Sequence, residues 1–192
     1  MLEALVTSTI LVALAEVGDK TQLLSFILAA RLRKPLAIIS GILVATLANH
    51  TLAGSLGVWL ARLLPPLWLP WITGLTFIAF GLWILHPDSA DESPDVHRGG
   101  AFVATTIALF IAEMGDKTQL ATVAQAARFE ALAAVVIGTT AGMLLANIPA
   151  VLIGERLARS LPLKPIRFVA AGVFILTGLL ALTGMPDTLG NK

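Results

Sequence analysis

Two acidic signatures stand out in an otherwise apolar chain. Glu16-Val17-Gly18-Asp19-Lys20-Thr21-Gln22 returns as Glu113-Met114-Gly115-Asp116-Lys117-Thr118-Gln119, 97 positions later (113 − 16) in a chain of 192 residues. Each copy follows an apolar run, Thr7 to Ala15 and Ala101 to Ala112. An acidic residue at the centre of a membrane helix costs roughly 2.5–3.5 kcal/mol even on the low translocon-derived scale. Such a cost, written twice at matching places, calls for a function. In each copy the Glu and the Asp stand at i and i+3 and would share one helix face. The Gly between them permits close helix approach or a local unwinding that exposes a carbonyl. Thr21, Gln22, Thr118 and Gln119 add neutral oxygens. Asn49 and Asn147 lie at comparable depth on the apolar stretches that follow, offset by 98 (147 − 49), and can add more.

Four carboxylates with amide and hydroxyl oxygens, and no thiolate, suit a hard divalent cation such as Ca²⁺, Mn²⁺ or Mg²⁺. Crowded in a low-dielectric site, four carboxylates cannot all remain ionised, so either protons or a divalent metal must neutralise them. Competition between the two for a site exposed alternately to each side of a membrane is proton/cation exchange. Lys20 and Lys117 each follow their own Glu by four residues. They can pair with it and hold the empty site neutral, or turn away to a polar interface. The bland reading, a structural Glu–Lys pair gluing a helix bundle, leaves Asp19 and Asp116 unexplained.

Composition supplies the setting. The chain is 57% hydrophobic and 13% charged, too little polarity for a soluble surface, which is typically about 25% charged. Its formal net charge of +1 points to no nucleic-acid partner, and its lack of cysteine excludes disulfides and thiolate chemistry. His50, His86 and His97 are scattered, and no Ser/His or His-Glu-x-x-His arrangement supports an enzyme. Ala13-Leu14-Ala15 mimics a signal-peptide cleavage site, but the start lacks a basic region and apolar character resumes at Leu23, so cleavage is not expected.

The elements that must carry these residues are six apolar spans of roughly 20 residues each. They are expected at 4–30, 36–61, 71–85, 101–127, 131–153 and 168–182. The halves correspond beyond the signature: Arg31 with Arg128, Gly41 with Gly138, Phe77-Ile78 with Phe174-Ile175 and Gly81-Leu82 with Gly178-Leu179 all keep the offset of 97. These glycines read as packing positions. The expected fold is an all-α polytopic membrane protein of six transmembrane helices, built as two inverted three-helix repeats. The first repeat covers 1–86, an acidic cytoplasmic linker covers 87–100, and the second repeat covers 101–192. Both signatures then fall about 18 Å into their spans, near the midplane.

Basic residues set the orientation. Arg31, Arg33, Lys34, Arg98, Arg156, Arg159, Lys164 and Arg167 gather on one side, against Arg62, Arg128 and Lys192 on the other. The first side is expected in the cytoplasm, with both termini outside, in a bacterial inner membrane.

At this point the residues resemble a known family. Two Glu-x-Gly-Asp-(Lys/Arg)-(Thr/Ser) signatures on the first and fourth of six spans, with an acidic central loop, are similar to the Golgi, chloroplast and bacterial manganese/calcium transporter family, within the cation/calcium exchanger superfamily. The resemblance covers nearly the whole chain. It implies transport of Mn²⁺ and/or Ca²⁺ in exchange for protons, with Glu16, Asp19, Glu113 and Asp116 binding the metal. The expectation is therefore a secondary transporter exporting a divalent cation from the cytoplasm. No cofactor is expected; the metal is the substrate, protons are the counter-ion, and the lipid bilayer is the surrounding partner. Homo-oligomer formation is left open. The alternatives are a membrane scaffold or assembly factor without transport, and an exporter of another small solute.

Overall fold

The protein is described by a computed structural model, which covers residues 1–65, 67–86, 100–153 and 163–183. These residues form eight helices and no strand: α1 (Leu2–Glu16), α2 (Lys20–Leu32), α3 (Pro35–Leu63), α4 (Leu69–Ile84), α5 (Gly100–Glu113), α6 (Lys117–Phe129), α7 (Leu132–Ile153) and α8 (Leu163–Leu182). Except for Gly100, the expected acidic linker lies outside the described residues. So do Arg98, Glu155, Arg156, Arg159 and Lys192.

The stretches expected as continuous spans at 4–30 and 101–127 are each two helices, and this corrects the simple six-rod picture. The breaks are matched. Gly18 has φ 81° and Gly115 has φ 76°, a left-handed conformation that an L side chain adopts only with strain. Asp19 and Asp116 then start α2 and α6 from extended backbone, with ψ 167° and 166°. The far ends match as well. Arg33 and Glu130 close α2 and α6 in the left-handed region, at φ 51° and 48°, and donate their N–H groups to the Ala29 and Ala126 carbonyls. Pro35 sits in the first turn of α3, where its missing N–H costs nothing.

Among the described residues, three helices are long and apolar enough to cross a membrane: α3, α7 and the 165–182 part of α8. Helices α4 and α5 are shorter apolar helices. At 16 residues, α4 extends roughly 24 Å, just under the hydrocarbon thickness. The burial pattern is the reverse of a water-soluble domain. Trp59, Trp71, Ile107, Ile111, Leu145 and Phe168 face outward. Glu16, Asn49, His50, Glu113, Gln125 and Asn147 have no exposed surface at all.

Small residues let the helices close on one another. A Cβ at Gly41 would stand 2.9 Å from the Phe102 carbonyl oxygen and 2.8 Å from Thr105 Cβ. One at Gly138 would stand 2.5 Å from the Leu5 carbonyl oxygen and 2.9 Å from Ser8 Cβ. Leu5 and Ser8 are the residues 97 positions before Phe102 and Thr105. Helix α3 therefore packs on α5 as α7 packs on α1, each contact crossing between the halves. Gly81 and Gly178 meet Ile175 and Ile78 in the same reciprocal way, joining α4 to α8. Phe77 and Phe174, also 97 apart, meet edge to face with ring centroids 6.1 Å apart.

Candidate metal centre

The two breaks bring their carboxylates together. Ligand-capable oxygens of Glu16, Asp19 and Asp116 all lie within 4.8 Å of one another, and all three residues are buried. Glu16 ends α1, Asp19 begins α2 and Asp116 begins α6, so the group draws on both signatures. The N-terminal dipoles of α2 and α6 favour the two aspartates at their starts. Glu113, the fourth acid expected there, is not one of the three that converge; it ends α5 fully buried, with Glu16 and Asp116 as its charged neighbours.

The surrounding groups hold each acid in place. The Thr21 hydroxyl donates to Glu16 Oε2 at 2.5 Å, while Glu16 Oε1 has no hydrogen-bond partner. Thr118 and Asn147 also face the Glu16 carboxyl. Thr46 Oγ1 donates to Glu113 Oε1 at 3.1 Å and Asn49 Nδ2 donates to Glu113 Oε2 at 3.2 Å. Thr118 Oγ1 lies 3.4 Å from Asp116 Oδ2.

The glutamines act as clasps. Gln22 Oε1 accepts the Gly18 N–H at 2.8 Å, and Gln119 Oε1 accepts the Gly115 N–H at 2.7 Å. Their Nε2 groups reach out to the next helices, Gln22 to the Ala146 carbonyl at 2.9 Å and Gln119 to Asn49 Oδ1 at 3.4 Å. Each left-handed glycine is thus closed by its own signature's glutamine. Asn147 is held between Ser25, which donates to its Oδ1 at 2.8 Å, and the Met143 carbonyl, which accepts from its Nδ2 at 3.0 Å.

The lysines follow neither course read from the spacing. Lys117 Nζ lies 2.7 Å from Asp19 Oδ1, and Lys20 Nζ lies 3.3 Å from Asp116 Oδ1. Each ammonium serves the aspartate of the other signature. The helix break explains this: with the chain extended between Glu and Lys, the i to i+4 geometry that would pair them within one helix is lost.

Thr46 and Ser25, whose hydroxyls bond Glu113 and Asn147, are not among the residues expected from the sequence. Ser25 had a signal, because Thr122 repeats a hydroxyl 97 positions on. Thr46 has none beyond lying one turn before Asn49.

A chain of this composition, with paired acidic breaks at the centre of an apolar bundle, is matched by known proteins over nearly all its length. A family profile described as "Divalent cation/proton antiporter GDT1" matches residues 4–92 and 101–188. A Vibrio cholerae serotype O1 protein described as "Putative manganese exporter" is 51% identical over 180 residues, covering 93% of this chain and 90% of that protein. A GDT1-like protein of Synechocystis is 29% identical, covering 92% of this chain and 95% of its own length. GDT1-like protein 5 of Arabidopsis thaliana is 27% identical, with coverages of 97% and 98%. No solved structure matches the chain. With both signatures inside the matched segments, the chain belongs to the divalent cation/proton antiporter GDT1 family and is an integral membrane transporter of divalent cations.

Proposed function

We propose that this protein is a manganese/proton antiporter that exports Mn²⁺ from the cytoplasm by alternating access to the carboxylate centre. The observation that carries this reading is the convergence of Glu16, Asp19 and Asp116 to within 4.8 Å across the two signatures. Oxygen ligands alone suit Mn²⁺ and also accept Ca²⁺. The name of the Vibrio relative favours manganese as the exported ion.

Charge counting supports exchange. Glu16, Asp19, Glu113 and Asp116 carry four formal negative charges, and Lys20 and Lys117 carry two positive ones. The remainder of two (4 − 2) is balanced by one divalent cation or by two protons. The four acids are the ligands and proton acceptors in this reading. Thr21, Thr46, Asn49, Thr118 and Asn147 orient them, and the two lysines offset two of the four charges whether metal or protons are bound. Metal binding to such a centre releases protons, which couples the two fluxes.

The crossings are six, in two inverted three-helix repeats. Each broken pair, α1–α2 and α5–α6, counts as one crossing, and the reciprocal glycine contacts of the two halves support this arrangement. Discontinuous helices meeting at the midplane are a recurrent transporter device. The lysine and arginine bias of the sequence supports an orientation with both termini outside the cytoplasm.

The test is flux in liposomes holding a pH dye, with Mn²⁺, Ca²⁺ or Mg²⁺ added outside. Proton movement with Mn²⁺ that disappears in Glu16→Gln is the expected result. Metal entry without proton movement would replace antiport by uniport. Absence of flux from folded protein would favour a scaffold.

A further inference from the structure

The core contains a second buried polar region, which the carboxylate centre does not use. Ala4, Ala126, Ala134 and Val135 form a small apolar cluster where α1 and α7 begin and α6 ends, with Leu5, Val58 and Phe129 around it. Gly54 of α3 borders the same place, with Ala126, Leu132 and Val136 as the neighbours of a Cβ built there. One helical turn inward from this seal, each helix turns polar. Ser8 follows Ala4 by four residues, His50 precedes Gly54 by four, and Thr122 precedes Ala126 by four. Thr139 and Thr140 follow Val135 and Val136 by four. All are buried, and Gln125 joins Thr122 and Thr118 on one face of α6.

These groups are not satisfied by one another. Ser8 Oγ, both ring nitrogens of His50, both amide atoms of Gln125 and Thr140 Oγ1 have no hydrogen-bond partner. A buried orphan of this kind costs about 1–3 kcal/mol, and polar pockets of sufficient size are ordinarily filled by water. The region adjoins the centre, because Thr122 and Thr118 continue along α6 to the Glu16 carboxyl.

The opposite half lacks it. The residue 97 positions before Gln125 is Leu28, and the residue 98 after His50 is Ile148. Leu28 lies in a cluster with Ile38, Ile42, Ala45, Ala108, Leu109 and Val151, all apolar. Ser8 has a counterpart in Thr105, also unpartnered, so a hydroxyl against the packing glycine is common to both halves. The imidazole and the amide are not.

We propose that Ser8, His50, Thr122, Gln125 and Thr140 line a hydrated vestibule through which water and hydrated cations reach Glu16 from the face where α1 begins. The Leu28–Ile42–Leu109 cluster closes the other face. The Ala4–Ala126–Val135 layer is the thin gate between vestibule and solvent, its small side chains letting α1, α6 and α7 part with little apolar surface to expose. This pathway rests on the transport reading of the same carboxylates, so its test needs a readout independent of flux.

The chain has no cysteine, so single cysteines can be placed in the native background. Ser8→Cys, Gln125→Cys and Leu28→Cys are treated with a membrane-impermeant thiol reagent from each side of sealed vesicles. Modification of the first two from the face of the N-terminus, with Leu28→Cys unreactive from that face, is expected. Unreactive Ser8→Cys and Gln125→Cys in folded protein, or equal reactivity of all three, would overturn the vestibule. Gln125→Leu, which copies the dry half, is expected to lower Mn²⁺ flux roughly tenfold, the scale of one lost hydrogen bond to a charged species. Mn²⁺ binding by the purified variant should stay unchanged. Unaltered flux in that variant counts against the pathway. If the wild type itself moved no ion, the labelling pattern would still decide whether the vestibule exists.

Discussion

Lys117 Nζ lies 2.7 Å from Asp19 Oδ1, an ion pair joining residues 98 positions apart (117 − 19) and linking the two signatures. Its counterpart, Lys20 with Asp116, is longer at 3.3 Å, and the Lys20 side chain is 29% exposed against 6% for Lys117. The centre is therefore symmetric in composition and asymmetric in state. One lysine is enclosed with its aspartate while the other stands partly open. In the proposed site, a divalent cation arriving at Glu16, Asp19 and Asp116 would have to compete with two tethered ammonium groups already on the aspartates.

The two lysines should consequently differ on substitution. Lys117→Gln leaves Asp19 buried without this partner, and breaking a buried pair costs about 3–5 kcal/mol. Lys20→Gln breaks a partly exposed pair worth about 0–1 kcal/mol. Thermal unfolding in detergent should show a large loss for the first variant and a small one for the second. Equal losses would mean that the enclosure of Lys117 has no energetic meaning. Addition of Mn²⁺ should restore more stability to Lys117→Gln than to wild type, because the metal supplies the missing charge.

Glu113 offers a separate handle. Its two oxygens accept from Thr46 and Asn49, both on α3 and outside the signatures. Thr46→Val removes one donor with nearly constant shape. At about 1.5–3 kcal/mol for a hydrogen bond to a charged group, the variant should bind and carry Mn²⁺ at least roughly tenfold less well. Asn49→Ala also frees the Phe110 carbonyl and Gln119, so its effect should be larger. Wild-type flux in both would remove Glu113 from the working site.

The doubled signature and the offset of 97 made the correspondence of the two halves legible, down to which glycines pack, whereas the meeting of the Phe77 and Phe174 rings could not be read from matching positions alone. The break itself was only half legible. Gly18 and Gly115 allowed unwinding, but nothing in their spacing chose it over close packing, since that depends on where the glutamine amides find the next helix. The lysine exchange was not legible at all. Pairing by i and i+4 presumes an unbroken helix, and a contact between residues 98 apart is set by tertiary packing. The vestibule was hidden for a related reason: Ser8, His50, Gln125 and Thr140 come from four helices and share no spacing.

Gly115 tests whether the broken helix is held by backbone conformation. Its φ is 76° and a Cβ placed on it would touch nothing within 4 Å. Gly115→Ala therefore introduces left-handed strain without a clash, at a cost of about 1–2 kcal/mol. The loss should appear as a lower unfolding temperature and as reduced flux, because relief of the strain would move Asp116 away from Glu16 and Asp19. Gly41→Ala serves as the contrast. It lies inside regular α3, where a Cβ would come within 2.9 Å of a backbone oxygen, so it should disturb the seating of α5 and with it Glu113. If Gly115→Ala leaves both stability and flux at wild-type values, the left-handed turn is not what sets the aspartate, and the Gln119 clasp at 2.7 Å must carry the break alone. Gln119→Leu would then abolish flux by itself.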